Sequence, residues 1–242
     1  MVNENYLQDM VSHAFLSEND IVLDIGAGFG ALTGILSPLC HRVIAVEIDH
    51  RVAEAYRIEK QGSKNVSLIE GDILETTIPT FNKVVSNPPF HISSPILFWL
   101  LEKRFDLAIM TFQKEFAERL VASVGSKDYS RLTVETYYRA EAELVEVVPR
   151  DAFVPPPNVD ACIVSLKPRE KSPFDVKNEE LFHELVRMLF TQRNKKTRNA
   201  VASFLLRLNK KKEEANSLLF HDKRVRELAP EDFGEIANEL TS

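Results

Sequence analysis

The sequence predicts an α/β fold built on a mostly parallel sheet, followed by a small all-α unit. Three observations carry that reading. Short apolar runs alternate with helical patterns from residue 20 to about residue 112, a glycine turn sits where the first run passes into a helix, and beyond residue 175 only helical patterns remain. A chain of 242 residues is long enough for one sizeable core and a smaller second one.

Val2 to Phe15 is an amphipathic helix, with Leu7, Met10, Val11, Ala14 and Phe15 at helical spacing and Asn3 as its cap. Asp20 to Ile25 is a buried strand, and Gly26-Ala-Gly-Phe-Gly turns it into a helix running to about Ser37, which Pro38 ends. His41–Ile48 is the second strand and Arg51–Glu59 the next helix. Strands follow at Val66–Glu70, Lys83–Ser86 and Asp106–Phe112, with Pro95–Leu101 helical between the last two. Glu141–Val148 and Ala161–Leu166 are joined by a proline-rich loop too short for a crossover helix, so they pair antiparallel and bring the sheet to seven strands. Pro168 to Asp175 is polar and proline-containing, which sets domains of 1–168 and 169–242. In the second, Leu181–Thr191 and Asn199–Leu208 are helices, and Pro230–Leu240 is a short acidic one.

Composition excludes several classes. Hydrophobic content of 44% and charged content of 27% are those of an ordinary globular protein. No apolar run reaches the roughly 20 residues that span a bilayer, and the start carries acids and amides, so a cytoplasmic protein without a membrane partner is expected. Cys40 and Cys162 lie far apart without paired histidines, which predicts buried thiols and no metal. The formal net charge of −6 is unevenly spread: Arg187 to Arg226 holds 12 Lys or Arg against Glu213, Glu214 and Asp222. That block is either a solvated helical face or a phosphate-contacting surface.

Val84-Val-Ser-Asn-Pro-Pro-Phe90 is the most informative stretch. Two prolines fix their own φ and hold the preceding residue extended, so the Asn87 amide oxygen and the Pro88 carbonyl face one spot. Two acceptors suit the two hydrogens of a planar exocyclic amine, and Phe90 offers a face for a base. The plain alternative is a proline-rich turn after a strand. Gly26, Gly28 and Gly30 permit backbone to approach a ligand, and Glu47, ending the second strand, suits ribose hydroxyls. Gly26, Gly28 and Ala31 equally satisfy a dinucleotide fingerprint. Asp72 follows the third strand, either as acceptor for an adenine amine or as a turn residue. A dehydrogenase has no need of Asn-Pro-Pro-Phe at the fourth strand, whereas a methyltransferase acting on an amine does.

Asp24-Ile-Gly-Ala-Gly-Phe-Gly, Glu47-Ile-Asp, Gly71-Asp-Ile and Asn87-Pro-Pro-Phe together resemble S-adenosylmethionine-dependent adenine amino methyltransferases. Ser93-Ser-Pro-Ile, Phe112-Gln-Lys-Glu-Phe-Ala-Glu-Arg-Leu, Gly125-Ser-Lys-Asp-Tyr-Ser-Arg-Leu-Thr-Val, Phe153-Val-Pro-Pro-Pro-Asn-Val-Asp-Ala and Phe190-Thr-Gln-Arg-Asn-Lys-Lys-Thr-Arg-Asn extend the match. They resemble the small-subunit ribosomal RNA adenine dimethyltransferases of the KsgA type, archaeal members in particular. The resemblance implies a Rossmann-like class I methyltransferase fold, S-adenosylmethionine as cofactor, and dimethylation of two adjacent adenosines near the 3′ end of small-subunit rRNA by a monomer acting on a pre-ribosomal particle. It implies Asn87, Pro88 and Phe90 at the reacting amine, and Gly26, Gly28, Gly30, Glu47, Asp72, Ile73 and Asn87 around the cofactor. Phe153 would cover the target base, its plain alternative being a core anchor, and Arg193, Lys195, Lys196 and Arg198 would meet RNA phosphates. Relatives usually carry Gln-x-Phe-Leu before the first helix, a segment expected to be missing ahead of Met1-Val-Asn-Glu-Asn. Many have Asn-Leu-Pro-Tyr or Asn-Ile-Pro-Tyr, so Phe90 lacks the phenol hydroxyl but keeps the ring. Rival readings are a large-subunit rRNA methyltransferase, a weakly active or inactive RNA-binding assembly factor and a DNA adenine methyltransferase.

Overall fold

A computed structural model describes residues 3–59 and 64–241. The chain divides into two units, residues 1–117 with 140–168 and residues 118–139 with 169–242. The expected boundary at 168 recurs, but the second unit also takes Glu118–Arg139, because Tyr129, Val134 and Tyr138 are buried in the core of the terminal helices.

The first unit begins with α1 (Glu4–His13), capped as expected by Asn3, whose side chain accepts from the Asn5 amide. There follow β1 (Ile21–Ile25), α2 (Ala31–Leu36), β2 (Arg42–Glu47), α3 (His50–Glu59), β3 (Val66–Glu70), β4 (Lys83–Ser86), α4 (Ser93–Leu101), β5 (Leu107–Gln113) and α5 (Lys114–Leu120). The helix α6 (Arg131–Arg139) precedes β6 (Ala140–Val148) and β7 (Ala161–Pro168). Pro38 does not stop the chain abruptly; it lies inside a 3-10 turn, Ser37–Leu39, that extends α2. Neither α5 nor α6 is expected from the apolar pattern.

The seven strands run in the order β3-β2-β1-β4-β5-β7-β6. The first five are parallel, and β7 pairs antiparallel with both β5 and β6, as the short proline-rich connection requires. Strands β1, β2 and β5 are buried on both faces, which is why they read as continuous apolar runs rather than alternating ones. The edge strand β6 carries Glu141, Glu143 and Glu146 and an irregularity between Leu144 and Glu146, features that discourage pairing with a further strand.

Strand order reverses between β1 and β4, so the crevice beyond their carboxyl ends is where an open sheet of this kind takes a ligand. Their ladder covers only Val22↔Lys83 and Leu23↔Val84. Above it the strands part, and the Ser86 hydroxyl bridges the gap, accepting from the Ile25 amide (3.1 Å) and donating to the Ile25 carbonyl (2.8 Å). At the opposite end Lys83 fastens α1 to the sheet. Its ammonium donates to the carbonyls of Ala14 (2.9 Å) and Phe15 (2.5 Å) and pairs with Asp20 at 3.2 Å.

In the second unit α6, α7 (Glu179–Phe190), α8 (Thr197–Arg207) and α9 (Pro230–Leu240) enclose Tyr129, Phe182, Phe204 and Phe233. The Tyr129 hydroxyl is satisfied by the Leu228 carbonyl at 2.7 Å. Glu135, 3% exposed, is paired with Arg131 at 3.4 Å and hydrogen-bonded to His183, whose Nδ1 lies 2.6 Å from it.

Candidate active site

Four groups of expected site residues meet at one edge of the sheet, because β1, β2, β3 and β4 are parallel and each ends there. The turn at residues 26–30 follows β1, Glu47 ends β2, Asp72 lies just past β3 and Asn87 just past β4. Amides of Gly26 and Ala27 bond to the Val46 carbonyl (2.8 and 3.1 Å), which folds the turn over β2. Glu47 is 9% exposed, and both of its oxygens are held by backbone: one accepts from Gly28 N and the other from Asp49 N, each at 2.9 Å. Each oxygen keeps a lone pair for a ligand hydroxyl.

Asp72 serves the turn as well as the site. Its Oδ1 accepts from the Leu74 amide at 2.9 Å and its carbonyl from Glu75 and Thr76, so the plain turn reading is part of the truth. It also borders a cavity of about 170 Å³ lined by Gly26, Glu47, Ile48, Asp72, Ile73 and His91. That is smaller than the roughly 300–1,000 Å³ of pockets that take a whole ligand. It has room for one part of a ligand, with Ile48 and Ile73 among its apolar lining. Sequence reasoning missed Ile48 and His91, although each adjoins a residue it named.

The three turn glycines are not equivalent. All have positive φ, +72° at Gly26, +57° at Gly28 and +79° at Gly30. A Cβ on Gly26 would lie 2.9 Å from Pro89 Cδ, so the turn and the Asn-Pro-Pro-Phe segment are in direct contact. A Cβ on Gly30 would enter the Tyr56 ring at 2.1 Å, whereas nothing stands within 4 Å of one on Gly28. Open space over Gly28 beside a fixed carboxylate suits a cofactor with ribose hydroxyls, so the residues present fit S-adenosylmethionine.

Beneath the turn Asp24 is 1% exposed and accepts from the Thr33 hydroxyl at 2.6 Å. Burial pushes its carboxyl up to about 7; the Thr33 bond opposes the rise and the Glu47 charge adds to it. The folded protein therefore holds this proton more tightly than the unfolded chain. The associated stability is complete below about pH 4 and lost as pH rises through about 7. We expect the melting temperature of the cofactor-free protein to fall from about pH 5 to about pH 8, and Asp24→Asn to flatten that slope; an unchanged slope would exclude Asp24 as its source.

Asn87 is half-buried and its Oδ1 accepts from the hydroxyl of Thr111, a partner the sequence did not suggest. Pro88 is buried, and its carbonyl accepts no hydrogen bond among the described residues. A carbonyl without a partner in the chain can accept from a ligand. The expected two-acceptor arrangement thus has one occupied oxygen with a lone pair left over and one carbonyl free to accept.

Phe153 is placed in the core, beside Phe90. A base held between two rings needs them parallel and about 7 Å apart, two contact distances. Here the Phe90 and Phe153 centroids are 5.6 Å apart at 66°, and Phe153, 7% exposed, belongs to the core of the first unit. Its ring packs edge-on against Phe90 because both are apolar and nothing lies between them.

The basic segment of the second unit forms a ribbon. Residues 193–198 run beside 221–226, joined by Thr197 N to Lys223 O, Arg198 N to His221 O, Val225 N to Lys195 O and Arg226 N to Arg193 O, all at 2.8–3.0 Å. The four expected RNA-binding cations fall into two kinds. Lys196 (2.8 Å) and Arg198 both bond Asp222, whose carboxyl is held below the usual range first by the Lys196 bond and also by the Arg198 charge. Arg193 instead donates to the carbonyls of Lys127 (2.8 Å) and Ser126 (3.0 Å), and Lys195 to the Gln192 amide oxygen (2.7 Å). Neutral partners fix these two cations without cancelling their charge. Arg224, bonded to the Asn194 carbonyl, is of the same kind and was not singled out from sequence.

Among the described residues no group of three His, Cys, Asp or Glu could hold a metal ion, and no helix is long and apolar enough to cross a membrane. Cys40 and Cys162 are buried and not joined in a disulfide.

A family model described as ribosomal RNA adenine dimethylase matches residues 1–242. A probable ribosomal RNA small subunit methyltransferase A from Methanosarcina acetivorans is 43% identical over 99% of this chain and 90% of its own length. One of the same description from Methanopyrus kandleri is 41% identical over 100% and 90%. Among solved structures, a dimethyladenosine transferase from Plasmodium falciparum superposes with a TM-score of 0.85 at 33% identity, covering 99% of this chain and 96% of that one. The 23S rRNA methyltransferase ErmE gives 0.72 at 28%, covering 99% and 98%.

Proposed function

The chain belongs to the ribosomal RNA adenine dimethylase family, an S-adenosylmethionine-dependent rRNA adenine dimethyltransferase by that membership, and from this premise we propose its substrate and the roles of its residues. The substrate is small-subunit rRNA within a pre-ribosomal particle in the cytoplasm. The targets are the exocyclic amines of two adjacent adenosines near its 3′ end, each receiving two methyls, and the protein acts as a monomer. The observation that carries the amine site is the pair of acceptors beside the Phe90 ring: Asn87 Oδ1 with a lone pair to spare, and the Pro88 carbonyl, unpartnered among the described residues.

When bound, S-adenosylmethionine supplies a methyl group already activated on a sulfonium. Gly26, Gly28 and Gly30 admit it along the turn, Glu47 takes its ribose hydroxyls, and Asp72 and Ile73 border its adenine. Asn87 and Pro88 accept both hydrogens of the target amine. This orients the nitrogen lone pair and excludes competing water, so the protein contributes mainly position. As the nitrogen–methyl bond forms and the methyl–sulfur bond breaks, the nitrogen becomes cationic and gives up its proton to solvent, with no strong base required. The target base leaves its stack to enter. It stacks on Phe90 once the Phe153 ring turns aside, since the two rings as they stand leave no slot.

Arg193, Lys195, Lys196 and Arg198 meet phosphates, and such interactions position RNA without reading sequence. Arg193 and Lys195 should dominate, because Asp222 already offsets the other two. Neutralising Arg193 and Lys195 together is expected to weaken rRNA binding about equally for all sequences and to lower the salt slope by about 1 for each phosphate no longer neutralised. The pair Lys196→Gln and Arg198→Gln should do less. Filter binding across a salt series reads both, and an unchanged slope in both double variants would make the ribbon a solvated face.

The direct test offers small- and large-subunit rRNA particles to the protein with labelled cofactor, followed by primer extension. Dimethylation removes both amine hydrogens, so reverse transcription stops at each product. Two adjacent stops near the 3′ end of small-subunit rRNA are expected. Stops only in large-subunit rRNA would assign the rival substrate, and none in either would leave an RNA-binding assembly factor.

A further inference from the structure

We infer that Thr111 is a positioning residue for methyl transfer, setting the orientation of the Asn87 amide; this rests on the amine-site reading above. Parallel pairing of β4 with β5 matches Ser86 to Met110, so the next residues, Asn87 and Thr111, come side by side at the carboxyl end of the sheet. Thr111 is 0% exposed, in a strand flanked by β4 on one side and β7 on the other. A hydroxyl buried there needs an acceptor, and among the described residues the one it has is Asn87 Oδ1.

An asparagine amide has two chemically different ends related by a half-turn, and only one of them accepts. Were the amide turned over, its NH₂ would face the Thr111 hydroxyl, whose hydrogen would then have no acceptor. It would also present a donor where the target amine must donate. Donation from Thr111 therefore selects the orientation in which Oδ1 lies at this end, with its second lone pair available. The main chain of Asn87 is fixed independently, since the preceding Ser86 is bonded to Ile25 in both directions. Ser86 holds the backbone, Thr111 holds the side chain, and Pro88 holds the second acceptor.

Thr111→Val keeps the branched shape and removes only the hydroxyl, and Thr111→Ser keeps the hydroxyl and removes a methyl. Steady-state methylation of rRNA is expected to show kcat about tenfold lower for T111V, the effect of losing one orienting hydrogen bond. KM for the cofactor should stay within about twofold and T111S should restore kcat to within about threefold of wild type. A merely structural role would be rescued by the shape-conserving valine and not by serine, the reverse of this pattern. Asn87→Ala run in parallel separates this inference from the reading beneath it. If N87A is inactive and T111V fully active, Thr111 is not a positioning residue; if N87A is itself fully active, the amine-site reading has failed. A T111V protein with an unchanged melting temperature and wild-type kcat overturns the proposal outright.

Discussion

Asn87→Ala is expected to lower methyl transfer by about 10³-fold, the scale seen when one preorganised polar partner of a reacting group is removed, while cofactor affinity changes by less than about tenfold. The imbalance follows from where the residue sits. Asn87 follows β4, across the crevice from the turn and Glu47, to which the proposed reading assigns most of the cofactor's polar partners. Truncation leaves the Thr111 hydroxyl buried without its acceptor, which costs about 1–3 kcal/mol of stability. The variant should therefore be assayed well below its melting temperature. Single-turnover methylation and calorimetric titration with S-adenosylhomocysteine read the two quantities separately. Equal losses in both would make Asn87 a cofactor residue and remove it from the amine site.

The second large effect distinguishes the three glycines of the turn. Gly30→Ala forces a Cβ into the Tyr56 ring at positive φ, and overpacking with left-handed strain sums to about 2–5 kcal/mol. Gly28→Ala meets no atom of the chain, so only the left-handed strain remains, about 1–2 kcal/mol. Yet Gly28 faces the space assigned to the cofactor, so its alanine variant should fold and bind S-adenosylmethionine at least about tenfold more weakly. Urea unfolding and titration calorimetry on both variants give the contrast. Wild-type affinity in Gly28→Ala would mean that the cofactor does not approach the turn.

Much of the sheet was legible because its strands are buried on both faces and therefore appear as unbroken apolar runs between turn residues. The stretch from 114 to 139 was not, for a physical reason visible in α6. Its buried side includes Thr133, Glu135 and Thr136, polar residues satisfied or enclosed only in three dimensions, so the helical period of apolar residues is broken. Tertiary pairing hides two other features. Thr111 sits 24 residues from Asn87, and nothing in its own neighbourhood marks it as a hydroxyl that aims an amide. The basic block announces its charge but not its partners, and it is Asp222, one of three acids against twelve bases, that separates offset cations from those held by neutral groups. Phe153 has both of its readings left open by the sequence, and its burial against Phe90 is a tertiary feature that a proline-rich loop does not announce.

The close approach of Gly26 to Pro89 bears on how such a site can be redesigned. Residues 26 and 89 share one surface, so enlarging either reshapes cofactor turn and amine pocket together, and single-site libraries at these positions will return mostly dead variants. Position 88 contributes its carbonyl together with the proline ring that holds Asn87 extended, and position 90 a ring face. A library aimed at new amine substrates should hold 26, 88 and 89 constant and sample aromatic residues at 90.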